Sequence, residues 1–150
     1  MAETVRDIID RIRGLHSQLS WFYETLGDAA QQERVRMLLR YIGRHEQNME
    51  SALAKYQQGA SRAVLNTWFK NAPDNPLRTC LSNVTITADM GTDEVIRIVL
   101  AMDRCLVDSF QRIADSAVAV DVKALFQDLI TLEQEEEHKL MRDALELEDV

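Results

Sequence analysis

The chain has 150 residues, enough for one domain with a full hydrophobic core but too few for a second independent domain. Its 17 basic and 25 acidic residues give a net charge of −8. This balance argues against a nucleic acid or an anionic membrane as a partner, because both bind basic surfaces. The 5 glycines and 2 prolines supply too few turns for a many-stranded β fold. We therefore expect residues 1–150 to form a single all-α domain.

The cysteines and the apolar residues indicate where the protein is located. Cys80 and Cys105 lack the CxxC spacing of a zinc ribbon or an iron–sulfur site, and two such isolated cysteines are typical of a reduced cytosolic protein. No charged and apolar leader precedes the first helix, and no apolar run approaches the roughly 18 residues of a membrane span. The sequence predicts a cytoplasmic protein without a membrane partner.

Apolar residues recur every three or four positions over most of the chain, as amphipathic helices require. Thr4 followed by Asp7 predicts the start of the first helix, and Gly27 predicts its end. Asp28 with Gln31 resembles a capping box for the second helix. The four predicted helices span about residues 4–27, 29–58, 92–116 and 120–147. A helix of about 25 residues is roughly 40 Å long.

The connections between these helices predict the topology. Helices 1 and 2, and likewise helices 3 and 4, are joined by a few residues, which makes each pair an antiparallel hairpin. Residues 59–91 are long enough to cross the whole bundle, include Pro73 and Pro76, and can form a short helix at Ser61–Phe69. We therefore expect an up-down-down-up four-helix bundle with one long crossover, the ferritin-like topology. The alternative is a bundle whose long loop does not cross it.

Two glycines lie inside predicted helices, where glycine costs roughly 1 kcal/mol relative to alanine. Gly14 and Gly43 are almost equally far from the first predicted turn. We expect them to face each other and to let the two helices approach closely, with room for a ligand as the second interpretation.

Ionisable residues interrupt the apolar stripes of all four helices. They are His16, Glu46, Asp103 and the pair Glu135 and His138, which are three residues apart. The predicted turns place Asp103 level with Glu135, whereas Glu46 lies about five residues from the level of His16. A buried carboxylate needs a cation, and carboxylates with imidazoles from facing helices are ligands of iron or manganese.

Several segments resemble the helices of rubrerythrin-related proteins of the ferritin-like superfamily. The resemblance is strong for residues 122–138, where Glu135 and His138 match the Glu-x-x-His motif of the last helix. It is weaker for the segments at 103–110, 16–23 and 44–49, and it does not cover the crossover. The resemblance implies a bound iron or manganese and chemistry with peroxide or oxygen.

The chain departs from the family's ligand pattern at three positions. His16 and Asp103 stand where the family has glutamates, and Met49 stands where it has a second histidine. This degenerate set predicts an incomplete di-iron site. It is compatible with one metal held by Glu135, His138, Asp103 and Glu46, with His16 as a fifth candidate.

Two functions remain open at this point. The first is a metal-binding, redox or peroxide-related protein. The second is a metal-free bundle that acts as a structural or interaction module, with the glutamates around Glu135 forming a solvated acidic face. Whether the protein is an enzyme stays open. The segment Val95–Met102 is apolar on nearly all sides, so it needs a second cover, which either the crossover or a second subunit can supply. We expect a homodimer through the third helix.

Overall fold

The structure, a computed structural model, describes residues 3–69, 80, 82, 85–87 and 89–148. Within these residues the elements, in chain order, are β1 (Glu3–Thr4), α1 (Val5–Ala29), α2 (Glu33–Gly59), α3 (Arg62–Leu65), β2 (Trp68–Phe69), α4 (Thr92–Ser116) and α5 (Val120–Glu148). The four long helices α1, α2, α4 and α5 enclose one hydrophobic core. The prediction of an all-α four-helix bundle is confirmed.

Helices α1 and α2 form the first hairpin. The Thr4 hydroxyl accepts a hydrogen bond from the Asp7 N–H while the Asp7 carboxylate accepts one from the Thr4 N–H, so a complete capping box starts α1. Asp28 caps nothing, because it lies inside α1 and the N-cap residue of α2 is Gln32. Gly27 does not end α1 either. The turn therefore lies later in the chain than the sequence predicted.

The second hairpin, α4 with α5, runs in the opposite sense to the first. Its turn at 117–119 lies beside residues 67–69, which follow the end of α2. There β2 pairs antiparallel with β1, with Glu3 opposite Phe69 and Thr4 opposite Trp68. The turn of the second hairpin and the start of α1 therefore share one end of the bundle, which gives the up-down-down-up order. The sequence did not predict these two short strands.

The crossover is attached to the bundle at two of its described residues, Phe69 and Cys80. The ring of Phe69 packs edge-on against Phe126 of α5, with centroids 6.1 Å apart. Cys80 forms a disulfide with Cys105 of α4, with a Cα–Cα distance of 5.8 Å. The prediction of two reduced cysteines is therefore wrong. The predicted loop around Pro73 and Pro76 lies outside the described residues.

Two further expectations concern the surface and the glycines. Over the described part of the chain, no helix has both the length and the hydrophobicity that a membrane span requires.

Gly14 and Gly43 do not face each other. A Cβ on Gly14 would meet nothing within 4 Å, whereas one on Gly43 would lie 3.1 Å from the backbone oxygen of Ser20.

Candidate metal centre

Four buried ionisable residues, one from each long helix, meet at the middle of the bundle. They are His16 on α1, Glu46 on α2, Asp103 on α4 and Glu133 on α5, which we call the central cluster. None of them is more than 5% exposed. They interrupt a core that is otherwise built mainly from apolar side chains, so the cluster is an ionic site within a hydrophobic interior.

The register of the two hairpins brings these residues to one level. Helix α1 ends at Ala29 and α2 begins at Glu33, so the first turn is centred on position 31, and His16 and Glu46 are equally far from that centre. Helix α4 ends at Ser116 and α5 begins at Val120, so the second turn is centred on position 118. Asp103 and Glu133 are equally far from this second centre. Residues equidistant from the turn of an antiparallel hairpin lie opposite each other.

The ring of His16 bridges two carboxylates. Its Nδ1 makes a short contact with Oε2 of Glu46, and its Nε2 lies 2.8 Å from Oε1 of Glu133. Burial alone would lower the pKa of His16, but the charges and hydrogen bonds of Glu133 and Glu46 outweigh this and hold the pKa well above its ordinary value. With a carboxylate oxygen at each ring nitrogen, the site favours an imidazolium that donates one N–H to Glu46 and one to Glu133.

Asp103 and Tyr23 face the same site and make no side-chain hydrogen bond to any of the described residues. Burial and the neighbouring charges of Glu46 and Glu133 raise the pKa of Asp103 well above its ordinary value. Among the described residues none donates a hydrogen bond to the Asp103 carboxyl, and the buried hydroxyl of Tyr23 also has no partner. Burial, Glu46 and Asp103 likewise raise the pKa of Tyr23. The cluster thus holds more acid than its single imidazolium can neutralise.

A second histidine lies just outside the cluster. His45 is 7% exposed, and its Nδ1 is 3.8 Å from Oε2 of Glu136. Burial lowers the pKa of His45, against the opposing effect of Glu46, Glu136 and Glu133.

The structure brings together His16, Glu46 and Asp103 from the predicted ligand set, but not Glu135 and His138. Both of these residues are exposed on α5, and His138 lines a shallow surface depression with Arg104 and Glu137. Their predicted interior position is wrong because Glu133 carries the buried stripe, and a residue two positions further along a helix is turned about 200° away. Sequence reasoning therefore missed Glu133.

The donors of the central cluster are close but do not surround a common point. In the described part of the chain, no group of three or more His, Cys, Asp and Glu side chains is placed so that it could hold a metal ion. The ring of His16 stands between the carboxylates of Glu46 and Glu133 and occupies one oxygen of each. Any metal must therefore displace protons and hydrogen bonds that the cluster now contains.

Comparison with known proteins establishes the fold. No protein-family model matches the chain, and no curated protein matches it. A crystal structure of a protein from Thermotoga maritima, named as a ferritin-like diiron-carboxylate protein, is similar over 96% of each chain, with a TM-score of 0.54 and 17% identity. The chain has a ferritin-like fold. The predicted topology is confirmed, and the central cluster lies in the interior of a ferritin-like bundle, between its four long helices.

Proposed function

We propose that this ferritin-like protein binds one transition-metal ion, iron or manganese, in the central cluster. One observation carries the proposal: three buried carboxylates from three helices face a single imidazole. A buried carboxylate without a counter-charge is costly, so such a set takes up a cation, either a proton or a metal ion. The similarity in fold to a protein named as a diiron-carboxylate protein agrees with a metal as that cation.

The types of donor side chain present suit one metal ion and not two. Di-iron sites in ferritin-like bundles use glutamates together with two Glu-x-x-His motifs. Here Met49 follows Glu46 by three residues and Glu136 follows Glu133 by three, so both imidazoles of those motifs are missing. Among the described residues the buried hydroxyl of Tyr23 has no hydrogen-bond partner, and the buried carboxyl of Asp103 lies beside the charges of Glu46 and Glu133, so one cation would suit both groups.

Glu46, Asp103 and Glu133 would hold the ion, and His16 would become a ligand after losing a proton. Carboxylate oxygens with an imidazole nitrogen suit iron and manganese. Iron or manganese bound there would supply one-electron redox chemistry, and reaction with peroxide or oxygen is the extension that the rubrerythrin-like resemblance suggests. The protein's own part is to exclude water, since every member of the cluster is buried, and to release protons as the ion enters.

One observation favours a second candidate, the metal-free structural or interaction module. Both ring nitrogens of His16 already bond to carboxylates, so the imidazolium itself acts as the counter-ion of Glu46 and Glu133. In that case the degenerate ligand set would have replaced the metal by a proton, and the cluster would only stabilise the bundle.

Metal titration separates the two candidates. The metal content of the purified protein is measured by plasma emission, and Fe²⁺ (without oxygen) and Mn²⁺ are then titrated by calorimetry in two buffers of different ionisation enthalpy. We expect one ion per chain with proton release, lost in Glu133→Gln and retained in the exposed control Glu135→Gln. A wild-type protein that binds neither ion refutes the proposal and leaves the metal-free module. Equal binding by both variants also refutes it.

Two further proposals come from the sequence. We propose membership of the rubrerythrin-like group and a homodimer formed through the apolar segment Val95–Met102 of α4. The side chains of Ile96 and Ile98 there are half-buried and pack against the edge of the core. Light scattering at micromolar concentration tests the dimer: twice the 17.2 kDa chain mass supports it and a monomer mass refutes it.

A further inference from the structure

A cleft of about 630 Å³ opens directly outside the central cluster. It lies between three of the helices that supply the cluster: Ser20 is four residues after His16, His45 precedes Glu46, and Glu136 is three residues after Glu133. Residues three or four apart on a helix are neighbours on one face. The cleft is thus about one helical turn from the residues of the central cluster, which are at most 5% exposed.

Two potential ligands face each other on the floor of this cleft. The side chain of His45 is more than nine-tenths buried, lines the cleft, and makes no hydrogen bond to any of the described residues. Its Nδ1 is 3.8 Å from Oε2 of Glu136, beyond hydrogen-bond range. Bonds from a metal ion to imidazole nitrogen and carboxylate oxygen are about 2.0–2.2 Å long. Because the separation of the two atoms is slightly less than two such bonds, both can contact one ion between them without movement of the helices.

The other charged side chains that line the cleft are balanced, so His45 and Glu136 are the groups that would attract a metal ion. Glu24 and Asp143 add two carboxylates, and Arg44 and Lys139 add two cations. Asp143 accepts a hydrogen bond from Tyr41, which ties up one of its oxygens. The rim charges nearly cancel, so attraction for a metal ion comes from the imidazole and carboxylate on the floor.

We propose that His45 and Glu136 form an outer site for a divalent transition-metal ion, which binds there with water before it passes to the central cluster. The inference rests on the proposed function and adds the route of entry. Two protein ligands make a weak site that fills and empties readily, as a transfer site must. Glu133, one turn from Glu136 on α5, and Glu46, which directly follows His45 on α2, would be the first members of the cluster that the ion meets.

Stopped-flow uptake of Co²⁺, followed by its visible absorption, tests the route. We expect His45→Gln and Glu136→Gln to slow uptake by about 10-fold or more without changing the final stoichiometry. The matched controls His138→Gln and Glu135→Gln, on the exposed face of α5, keep the wild-type rate. Wild-type rates in both cleft variants, with metal still bound at the cluster, overturn the inference and leave the proposed function standing.

A second measurement tests the outer site in a variant whose central cluster has lost one of its proposed ligands. In Glu133→Gln, Mn²⁺ is added and the line broadening of the His45 ring signals is followed by NMR. Broadening that disappears in the double variant with Glu136→Gln supports the outer site, even if the wild-type cluster binds no metal and the proposed function fails. Broadening that is absent, or equal in both variants, overturns the outer site.

Discussion

Replacing His16 by glutamine removes the cation that bridges two buried carboxylates. Glu46 and Glu133 are 1% and 4% exposed, so water cannot replace the lost N–H groups. A glutamine amide is neutral and its single NH2 group cannot reach opposite sides of the site as the two ring nitrogens do. Removing one partner of a buried ion pair costs roughly 3–5 kcal/mol, so we expect the free energy of unfolding to fall by about 4 kcal/mol.

The pH dependence gives this prediction a second signature. Because the pKa of His16 is raised in the folded protein, its stabilising contribution is complete below the unfolded pKa of about 6.5 and is lost only as the pH rises through the folded value. The contribution is therefore still present at pH 7. The variant's deficit should therefore shrink only as the pH rises above 7 and His16 of the wild-type protein loses its proton.

Urea unfolding followed by far-UV circular dichroism, at pH 7 with excess chelator, measures the effect. With a slope of about 2 kcal/mol/M, a loss of about 4 kcal/mol lowers the midpoint by about 2 M. His138→Gln is the matched control, since His138 is exposed and surface substitutions change stability by about 0.5 kcal/mol or less. A His16→Gln midpoint as close to wild type as that of His138→Gln would refute the bridging imidazolium.

Three more predictions use the same assay. First, Asp103→Asn, measured with chelator, should raise the free energy of unfolding at pH 7. The raised pKa of Asp103 costs about 1.4 kcal/mol of stability for each pKa unit, and this cost develops as the pH rises above about 4, so the variant should lose less stability over that range. An unchanged dependence of stability on pH contradicts this. Second, reduction of Cys80–Cys105, which are 25 residues apart, lowers stability by about 3.5 kcal/mol, because the unfolded chain gains loop entropy. The double variant with serine at both positions should match the reduced protein and ignore reductant. Third, Gly14→Ala should raise stability by roughly 0.5–1 kcal/mol, because its Cβ meets nothing within 4 Å. Gly43→Ala should lower stability by about 1 kcal/mol, because its Cβ would lie 2.6 Å from Cγ of Glu24. Equal effects of the two substitutions contradict this difference in packing.

The apolar pattern was sufficient to predict the bundle but not the position of its first turn. In the sequence Gly27 predicts the end of α1, which places the turn too early in the chain. In the structure the helix continues past Gly27, whose φ is not positive, and the glycine instead lets α1 approach α2: a Cβ there would lie 3.2 Å from Cγ of Arg40 and 3.4 Å from Cβ of Leu39. A glycine that ends a helix and one that permits close packing look the same in the sequence. This error made the contact between His16 and Glu46 look poor.

The missed ligand candidate on α5 has a different cause. The buried stripe of α5 includes Val122, Phe126 and Leu129, and a further step of four residues gives Glu133. The Glu-x-x-His motif drew attention to Glu135 and His138, which lie further along the helix than Glu133. Periodicity was therefore the better guide than the motif. The pairing of Cys80 with Cys105 and of β1 with β2 had no local signal, since both depend on where the crossover returns to the bundle.

The central cluster also limits how the two hairpins can be arranged. Each of its four members would be costly alone in the core, and each becomes acceptable only opposite the others. A shift of one residue in α2 would move Glu46 by about 1.5 Å along the helix and by about 100° around it, away from the ring of His16. Since each of the two pairs is placed symmetrically about its own turn, the turn positions and the buried charges select the same register. A search for charged residues equidistant from the observed turns therefore finds Glu133 where a search for a family motif does not.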